Sequence, residues 1–395
     1  MSARVNSALI RQINLARVFH ALREHPESSQ RDLGRLTGLD KATISTVVAQ
    51  LQDLKLVERS EQSKARRVGR PETALSIPRS AGILVGVRLE PAAIRVVTTT
   101  LAGGVLGHCQ LAGSLDIDTA LKALRATVDR ELAEIGEDWS AVRAIGVGIP
   151  GLLDRSGRLV LAPNLGWRDV PIRAMLEDLF GCPVEVDNDT KAAAIAERLF
   201  GMCRRTDDFI YVTGDSGVGG ALFLGGRLYR GAGGFAGEIG HTKVVPGGNL
   251  CGCGRRGCLE TYVSEAAILR RLAELGIEAS DITAVAALAE RGHVQGHAEV
   301  RALLDEVGRH LGFALSNLVN IINPQLIVLG GNLAVVGSWI MPGLERTLAE
   351  HALAPLAAEV SIRVSPLGED AVPMGGIALA LDGFLAPPRL TVPRG

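Results

Sequence analysis

The 395-residue sequence predicts an α/β protein with a small helical N-terminal head and a larger body of alternating strands and helices. Apolar residues recur at helical spacing up to residue 55, whereas from Gly82 onward short apolar runs alternate with longer amphipathic ones. The charges divide in the same way. Residues 1–80 hold 14 Lys and Arg against 8 Asp and Glu, while the remainder holds 28 against 35. A basic head on an acidic body indicates that the head binds a polyanion.

Composition bounds the class of protein. The chain is 47% hydrophobic and 22% charged, which is typical of a globular protein with two or three domains. No uninterrupted apolar run is long enough to span a bilayer, and the N-terminus lacks the apolar core of a signal peptide. We therefore expect a cytoplasmic protein with no membrane partner.

The head begins with three predicted helices. The first covers Asn14–His25, where four apolar residues form one stripe. The second opens at Ser29, which with Asp32 three residues later resembles a capping box. Gly38 makes a tight turn, and Asp40 then caps the third helix. Two short helices joined by a glycine-containing turn predict a helix-turn-helix, whose second helix fits the DNA major groove.

A wing follows the third helix. Two short strand patterns, Leu56–Arg59 and Ala74–Ile77, flank a basic loop, which predicts a winged helix-turn-helix. The alternative is a protein-interaction module, since charge runs are usually solvated faces, but spacing, turn and local charge together favour DNA. The candidate DNA contacts are polar or basic side chains of the third helix and the wing loop: Lys41, Thr43, Ser45, Thr46, Gln50, Arg66, Arg67 and Arg70.

After a short linker at Pro78, the body begins at Gly82. Ile83–Val87 and Ile94–Thr99 read as a β-hairpin. The other predicted strands are Val142–Ile149, Val184–Val186, Phe209–Thr213, Pro324–Leu329 and Val360–Val364. The predicted helices are Ala120–Ile135, Thr190–Phe200, Ser264–Leu275, Ile282–Glu290, Glu299–Asn320 and Gly375–Phe384.

The stretch Gly237–Glu260 carries a candidate metal site. His241 precedes Cys251, Cys253 and Cys258 in a glycine-rich segment that can fold tightly. One imidazole and three thiolates are the ligand set of a closed, structural zinc site. Three reduced cysteines or a disulfide are the alternatives. Nothing points to secretion, and two of the cysteines are too close in sequence for an easy bridge, so we favour Zn²⁺.

The motif E-x-G-H followed by C-x-C-G-x-x-G-C-L-E resembles the signature of the ROK family of repressors, open reading frames and sugar kinases. G-L-x-K-x-T-I-S and G-R-P in the head resemble ROK repressors, and P-N-L-x-W at Pro163–Trp167 resembles a sugar-binding loop of the family. The resemblance implies an actin-like, ribonuclease H-like body of two α/β lobes. We expect the head at 1–78, the first lobe at 82–188 with 375–390, and the second lobe at 189–374.

The resemblance also implies a sugar site. Its ligand contacts would be Asn164, Asn188, Asp189, Glu238, His241 and Glu260. In ROK kinases the residue that matches Asp189 is the catalytic base, but a carboxylate there also simply accepts a hydrogen bond or caps the following helix. The implied partners are a palindromic operator DNA, bound by a homodimer or homotetramer, and a sugar or sugar-phosphate effector.

One departure from the family argues against kinase activity. In the sugar kinase superfamily the first hairpin turn reads D-x-G-G-T and binds phosphate, whereas this chain has Arg88, Glu90, Pro91 and Ala92 at the corresponding positions. Glu90 would repel a triphosphate and Pro91 lacks a backbone N–H. The second glycine-rich turn, Gly214–Gly220, is better preserved. We therefore expect a sugar-controlled regulator without enzymatic activity. A sugar kinase with a DNA-binding head is the alternative, and an activator or a protein-controlled regulator stays open.

Overall fold

The computed structural model describes residues 7–60, 73–215, 217–290 and 296–385. The head contains the three predicted helices and a small sheet. Its elements are α1 (Ser7–Glu24), β1 (Ser28–Ser29), α2 (Gln30–Thr37), α3 (Lys41–Asp53), β2 (Glu58–Arg59) and β3 (Ala74–Ser76). Helix α1 begins seven residues before the predicted Asn14. The predicted capping box is confirmed: Asp32 N donates to Ser29 Oγ at 3.2 Å and Ser29 N donates to Asp32 Oδ2 at 3.2 Å.

The wing is a three-stranded antiparallel sheet in the order β1–β3–β2. Strand β3 agrees with the predicted Ala74–Ile77 to within one residue, and β2 forms only the second half of the predicted Leu56–Arg59. The two-residue strand β1 was not predicted. The basic loop between β2 and β3, with Arg66, Arg67 and Arg70, lies outside the described residues. The winged helix-turn-helix is therefore confirmed in its helices and sheet, and the loop contacts stay predictions.

The body begins with a five-stranded sheet in the order β11–β7–β4–β5–β6. Strands β4, β5 and β6 form an antiparallel meander, and β7 and β11 lie parallel to β4 on its other side. The elements of this part are β4 (Ile83–Leu89), β5 (Ala93–Thr100), β6 (Val105–Ala112), α4 (Ile117–Glu134), β7 (Val142–Ile149), β8 (Leu152–Leu153), β9 (Leu159–Ala162), β10 (Trp167–Val170), α5 (Ile172–Phe180), β11 (Val184–Asn188) and α6 (Asp189–Leu199).

A second five-stranded sheet repeats this topology in the order β14–β13–β12–β15–β16. Again three consecutive strands form the antiparallel meander and two later strands lie parallel to its first strand. The elements are β12 (Phe209–Thr213), β13 (Gly219–Leu224), β14 (Arg227–Leu228), α7 (Glu260–Val263), α8 (Glu265–Glu274), α9 (Ile282–Glu290), α10 (His297–Ile322), β15 (Leu326–Gly330), α11 (Gly331–Val335), α12 (Gly337–His351), α13 (Ala354–Glu359), β16 (Ser361–Val364) and α14 (Ala371–Gly383).

Two helices join the parts of the body. Helix α14 returns to the first sheet, as predicted, and packs so closely that a Cβ added at Gly146 would lie 1.8 Å from Gly376 O. Helix α6 packs beside it, where Ala192, Ala193 and Ala194 share one buried cluster with strands of the second sheet. Close approach of backbones at small residues makes such a contact stiff. We call the parts on either side of this helix pair the first and second lobes.

The head is joined to the first lobe by a continuous hydrophobic core. Leu15, Val18 and Leu22 of α1 belong to the same buried cluster as Leu84 of β4 and Ile377 of α14. The head is therefore packed onto the body. Among the described residues, no helix is long and apolar enough to cross a membrane.

Candidate functional site

The four predicted metal ligands converge. The ligand atoms of His241, Cys251, Cys253 and Cys258 all lie within 4.8 Å of one another. His241 Nδ1 is 3.7 Å from Cys251 Sγ, and Cys253 Sγ is 3.7 Å from Cys258 Sγ. Ligands in a tetrahedral zinc–thiolate site are separated by about 3.8 Å, since the metal–sulfur bond is about 2.3 Å. The residues thus form a cluster that could bind a metal ion, and its spacing fits zinc.

Local backbone structure holds this cluster together. A 3₁₀ turn, Ile239–His241, presents the imidazole, and an isolated bridge between Lys243 and Cys258 closes the segment. Gly257, at a φ of 76°, lies where a Cβ would be 1.8 Å from Val245 O, so the chain crossing there requires glycine. All three sulfurs are free thiols, and 3.7 Å between Cys253 and Cys258 is far beyond a disulfide bond. The disulfide alternative is therefore ruled out in this structure.

The metal cluster adjoins two carboxylates. Glu260 begins α7 two residues after Cys258, and its Oε1 lies 3.3 Å from Cys251 Sγ. Glu238 Oε2 lies 4.0 Å from Nε2 of His241, on the side of the imidazole opposite the sulfurs. The imidazole thus faces sulfur with one nitrogen and carboxylate with the other, an arrangement common for metal-bound histidine.

Asn164 reaches the same place from the first lobe. A Cβ added at Gly217 would lie 2.7 Å from Glu260 Oε2 and 3.7 Å from Asn164 Nδ2. Both side chains therefore stand beside one glycine at the boundary of the two lobes. Gly217 was predicted only as part of a glycine-rich turn, and its role in leaving room for Glu260 was not anticipated.

Asn188 and Asp189 lie at the start of α6, and Asp189 lies near Glu238: burial raises the pKa of Glu238, and the Asp189 carboxylate raises it further. Asp189 was one candidate for the N-cap of α6. The N-cap is Asn188 instead, whose Oδ1 accepts a hydrogen bond from Lys191 N at 3.1 Å. Asp189 is the first helical residue, and its Oδ1 accepts from Asn188 Nδ2 at 2.9 Å and Thr190 N at 2.7 Å. Burial raises the pKa of Asp189, while Arg88 opposes that rise. The carboxylate is thus positioned by its neighbours and is not needed as a cap.

Sequence reasoning missed Lys191. This lysine is 97% buried, and its Nζ donates to Gly234 O at 2.6 Å, which ties α6 to the segment leading into Glu238. Burial lowers the pKa of Lys191, whereas Asp187 and Glu238 raise it. The sequence does not indicate that this lysine is buried, because a solvent-exposed lysine on an alanine-rich helix would have the same sequence pattern.

The turn that follows Arg88 is joined to the second lobe by an ion-pair cluster. Arg88 Nη2 lies 2.5 Å from Glu90 Oε1 within the turn and 3.0 Å from Asp215 Oδ2 in the second lobe. Asp215 Oδ1 also accepts from Asn332 N at 2.8 Å. The adjacent cavity, between Arg88 and Asp189, measures about 10 Å³, enough for about one water molecule. The sequence did not predict the pairing of Arg88 with Asp215, and the predicted loss of phosphate ligands at this turn stays a prediction.

The predicted DNA contacts on α3 differ in accessibility. Lys41, Ser45, Thr46 and Gln50 are exposed on the side away from the buried residues of the helix. Thr43 is half-buried, and its hydroxyl donates to Asp40 Oδ2 at 2.6 Å. Thr43 thus contributes to the helix cap, and four exposed side chains form the surface that α3 presents.

Comparison with known proteins agrees with this architecture. The ROK family profile matches residues 85–383, and the MarR family profile matches residues 16–67. The xylose repressor of Caldicellulosiruptor bescii is 28% identical over 97% of this chain and 99% of its own length. A crystal structure of a ROK family transcriptional regulator, described as a homologue of E. coli Mlc, superposes with a TM-score of 0.82 at 26% identity, covering 95% of this chain and 97% of that one.

A kinase also matches, but over less of the chain. The ROK glucokinase of Streptomyces griseus, solved with glucose and AMPPNP, superposes with a TM-score of 0.67 at 29% identity and covers 76% of this chain and 99% of its own. The head therefore distinguishes the full-length repressor relatives from this kinase. With its family profile spanning both lobes, the chain belongs to the ROK family.

Proposed function

We propose that this protein is a transcriptional regulator, most simply a repressor of carbohydrate-metabolism genes, whose affinity for operator DNA is controlled by a sugar or sugar derivative. One observation carries the proposal. Polar groups suited to sugar hydroxyls gather around the metal cluster, while Arg88 pairs with Glu90 and Asp215 at the turn that resembles, in position, the phosphate-binding turn of the sugar kinases. A polar cleft without a nucleotide site suits a sensor better than a phosphotransferase.

The effector would bind where the two lobes meet. Asn164, Asn188, Asp189, Glu238, His241 and Glu260 supply amide, imidazole and carboxylate groups, each able to pair with a hydroxyl. These six residues come from both lobes, so a bound sugar would bridge them. Sugar binding would thereby favour one angle between the lobes over others.

Zinc is the metal that this ligand set favours. His241, Cys251, Cys253 and Cys258 would hold the ion, and the bound metal would stiffen the loop that carries Glu238 and Glu260. The ion has no open position in a four-ligand set, so its role is structural. Of the six proposed sugar contacts, the metal loop would position Glu238, His241 and Glu260.

The head would bind operator DNA through α3. Lys41, Ser45, Thr46 and Gln50 would contact bases and phosphates, and Arg66, Arg67 and Arg70 would extend the contact from the wing loop. Two heads in a homodimer or homotetramer would read two half-sites of a palindrome. Because half-sites lie about one helical turn or a multiple apart, a small change in the spacing of the heads weakens binding.

Operator affinity with and without sugar tests this proposal. Genomic fragments selected by the full-length protein supply the operator, and fluorescence anisotropy measures the dissociation constant with a panel of mono- and disaccharides that includes D-xylose and D-glucose. We expect one sugar to raise the dissociation constant at least about tenfold, equivalent to 1.4 kcal/mol of coupling. If no sugar in the panel changes operator affinity, the proposal is wrong.

A sugar kinase with a DNA-binding head is the second candidate, favoured by the position of Asp189 and the likeness to the glucokinase. A coupled ADP-release assay over the same sugars separates the two. We expect no turnover above the protein-free rate. Turnover that disappears in Asp189→Asn would establish a kinase and overturn the conclusion that the turn at Arg88 has lost nucleotide binding.

A further inference from the structure

Two helices run from the candidate effector site to the DNA-binding head. Helix α6 begins at Asp189 in the site and ends beside Phe200. Helix α14 begins at Ala371, which lines the small cavity beside Arg88 and Asp189, and ends beside Phe384. The N-terminal end of α6 therefore lies in the candidate site and that of α14 beside Asp189, while both C-terminal ends lie at the head.

Each helix is followed directly by a phenylalanine that contacts α1. The guanidinium of Arg23 lies 5.4 Å from the centre of the Phe200 ring, within the range of a cation–π contact. The Phe19 and Phe384 rings meet edge to face at 5.6 Å. Phe19 and Arg23 are four residues apart, so they lie on the same face of α1. Arg23 Nε also donates to Leu101 O at 3.1 Å.

The two helices are packed too closely to slide independently. A Cβ added at Gly375 of α14 would lie 2.1 Å from Ala192 O of α6. On its other side α6 contacts the second lobe, where a Cβ at Gly219 would lie 2.0 Å from Thr190 Oγ1. A change in the angle of the second lobe therefore acts on α6 directly, and α14 is held against it.

Movement of α1 also reaches the recognition helix. Leu15, Val18 and Leu22 of α1 share a buried core with Ile44 and Val48 of α3. Because protein cores are close-packed, a displacement of α1 carries α3 with it. The path from the sugar site to the DNA-reading surface is thus continuous through packed side chains.

We propose that α6 and α14 form the mechanical connection through which effector binding moves the head, with Phe200 and Phe384 as its contacts on α1. The inference rests on the proposed function, since it names how the same site is regulated. Lys191 anchors the connection at the effector end, because its bond to Gly234 O ties α6 to the segment before Glu238. Phe200 is a positioning residue in this scheme and touches neither sugar nor DNA.

The test separates binding from coupling. In Phe200→Leu, which keeps an apolar side chain but removes the ring, calorimetry with the most effective sugar of the panel should give a sugar affinity within about twofold of wild type. Operator affinity without sugar should also stay within about threefold. The sugar-induced change in operator affinity should fall at least about tenfold relative to wild type.

A matched control and a second readout make the result decisive. Phe180→Leu removes a ring from the first lobe that stacks on Trp139 and not on the head, so the sugar response should stay intact. Hydrogen exchange should show a sugar-induced change in α1 in wild type and Phe180→Leu, but not in Phe200→Leu or in a second variant, Arg23→Gln. If Phe200→Leu and Arg23→Gln both respond to sugar like wild type, the inference is wrong. If wild type itself does not respond, the proposed function fails first.

Discussion

Replacing Arg88 by methionine should destabilise the protein, because it leaves several carboxylates without their cation. Arg88 contacts Glu90 at 2.5 Å and Asp215 at 3.0 Å, and the three side chains are 16–18% exposed. Removing one partner of a buried ion pair costs about 3–5 kcal/mol. Because this cluster retains some contact with water, we expect a loss of about 3 kcal/mol, the low end of that range.

The pH dependence of this loss has a definite sign. Burial raises the pKa of Glu90 and of Asp189, and Arg88 opposes the rise in both. Without Arg88 both values rise further. A carboxyl group with a raised folded-state pKa stabilises the fold at low pH and loses that contribution as pH rises through the folded-state value. The deficit of Arg88→Met should therefore be smaller at about pH 5.5 than at about pH 8.

Urea unfolding followed by tryptophan fluorescence measures both effects, since Trp167 reports on the first lobe and Trp339 on the second. Arg271→Met is the matched control: Arg271 pairs with Glu274 at 2.8 Å but is 47% exposed, so its loss should cost less than about 1 kcal/mol. If Arg88→Met unfolds at the same urea concentration as wild type at both pH values, the ion-pair cluster does not hold the lobes together.

Two further predictions concern the metal loop and the wing. Cys251→Ser should lose bound zinc and the sugar response together, because the free energy of binding a structural metal contributes to the stability of the fold. The control Cys182→Ser, at a half-buried cysteine outside the cluster, should keep both. Unchanged zinc content of Cys251→Ser by mass spectrometry would contradict the ligand assignment. Arg70→Ala should weaken operator binding and reduce by about one the slope of log affinity against log salt concentration. The control Arg79→Ala should change neither, since Arg79 pairs with Glu137 on the body. Equal affinities of Arg70→Ala and wild type at every salt concentration would refute the wing contact.

The features that the sequence predicted well are those encoded locally. The capping box at Ser29 forms because both partners lie within one turn of helix. The metal cluster could be predicted because its four ligand side chains occur within 18 residues. One histidine with three cysteines at such spacing is typical of metal binding and of few other chemistries. Helix α9 has the predicted bounds, Ile282–Glu290, because its apolar pattern is strong and uninterrupted.

The features that the sequence did not predict depend on residues far apart in the chain. Arg88 and Asp215 are separated by 127 positions, and nothing local distinguishes their pairing from two solvated charges. Strand β1 is only Ser28–Ser29, too short and too polar for a strand pattern, and exists because β3 offers its free edge. Whether Asn188 or Asp189 is the N-cap depends on where α6 begins to within one residue, and sequence patterns do not define helix ends that closely.

The repeated topology of the two sheets gives the Arg88–Asp215 pair its importance. Strands β4 and β12 are each the first strand of their meander, and each leads into a turn at the boundary of the lobes. Arg88 lies at the end of β4, and Asp215 lies two residues after β12, so the pair joins equivalent positions of the two lobes. Asp215 is itself held by Asn332 N, just after β15. A contact at this place resists any change of lobe angle, and a sugar that changes the angle has to do so against it. The Arg88–Asp215 pair therefore stabilises the relative position of the two lobes that the structure shows.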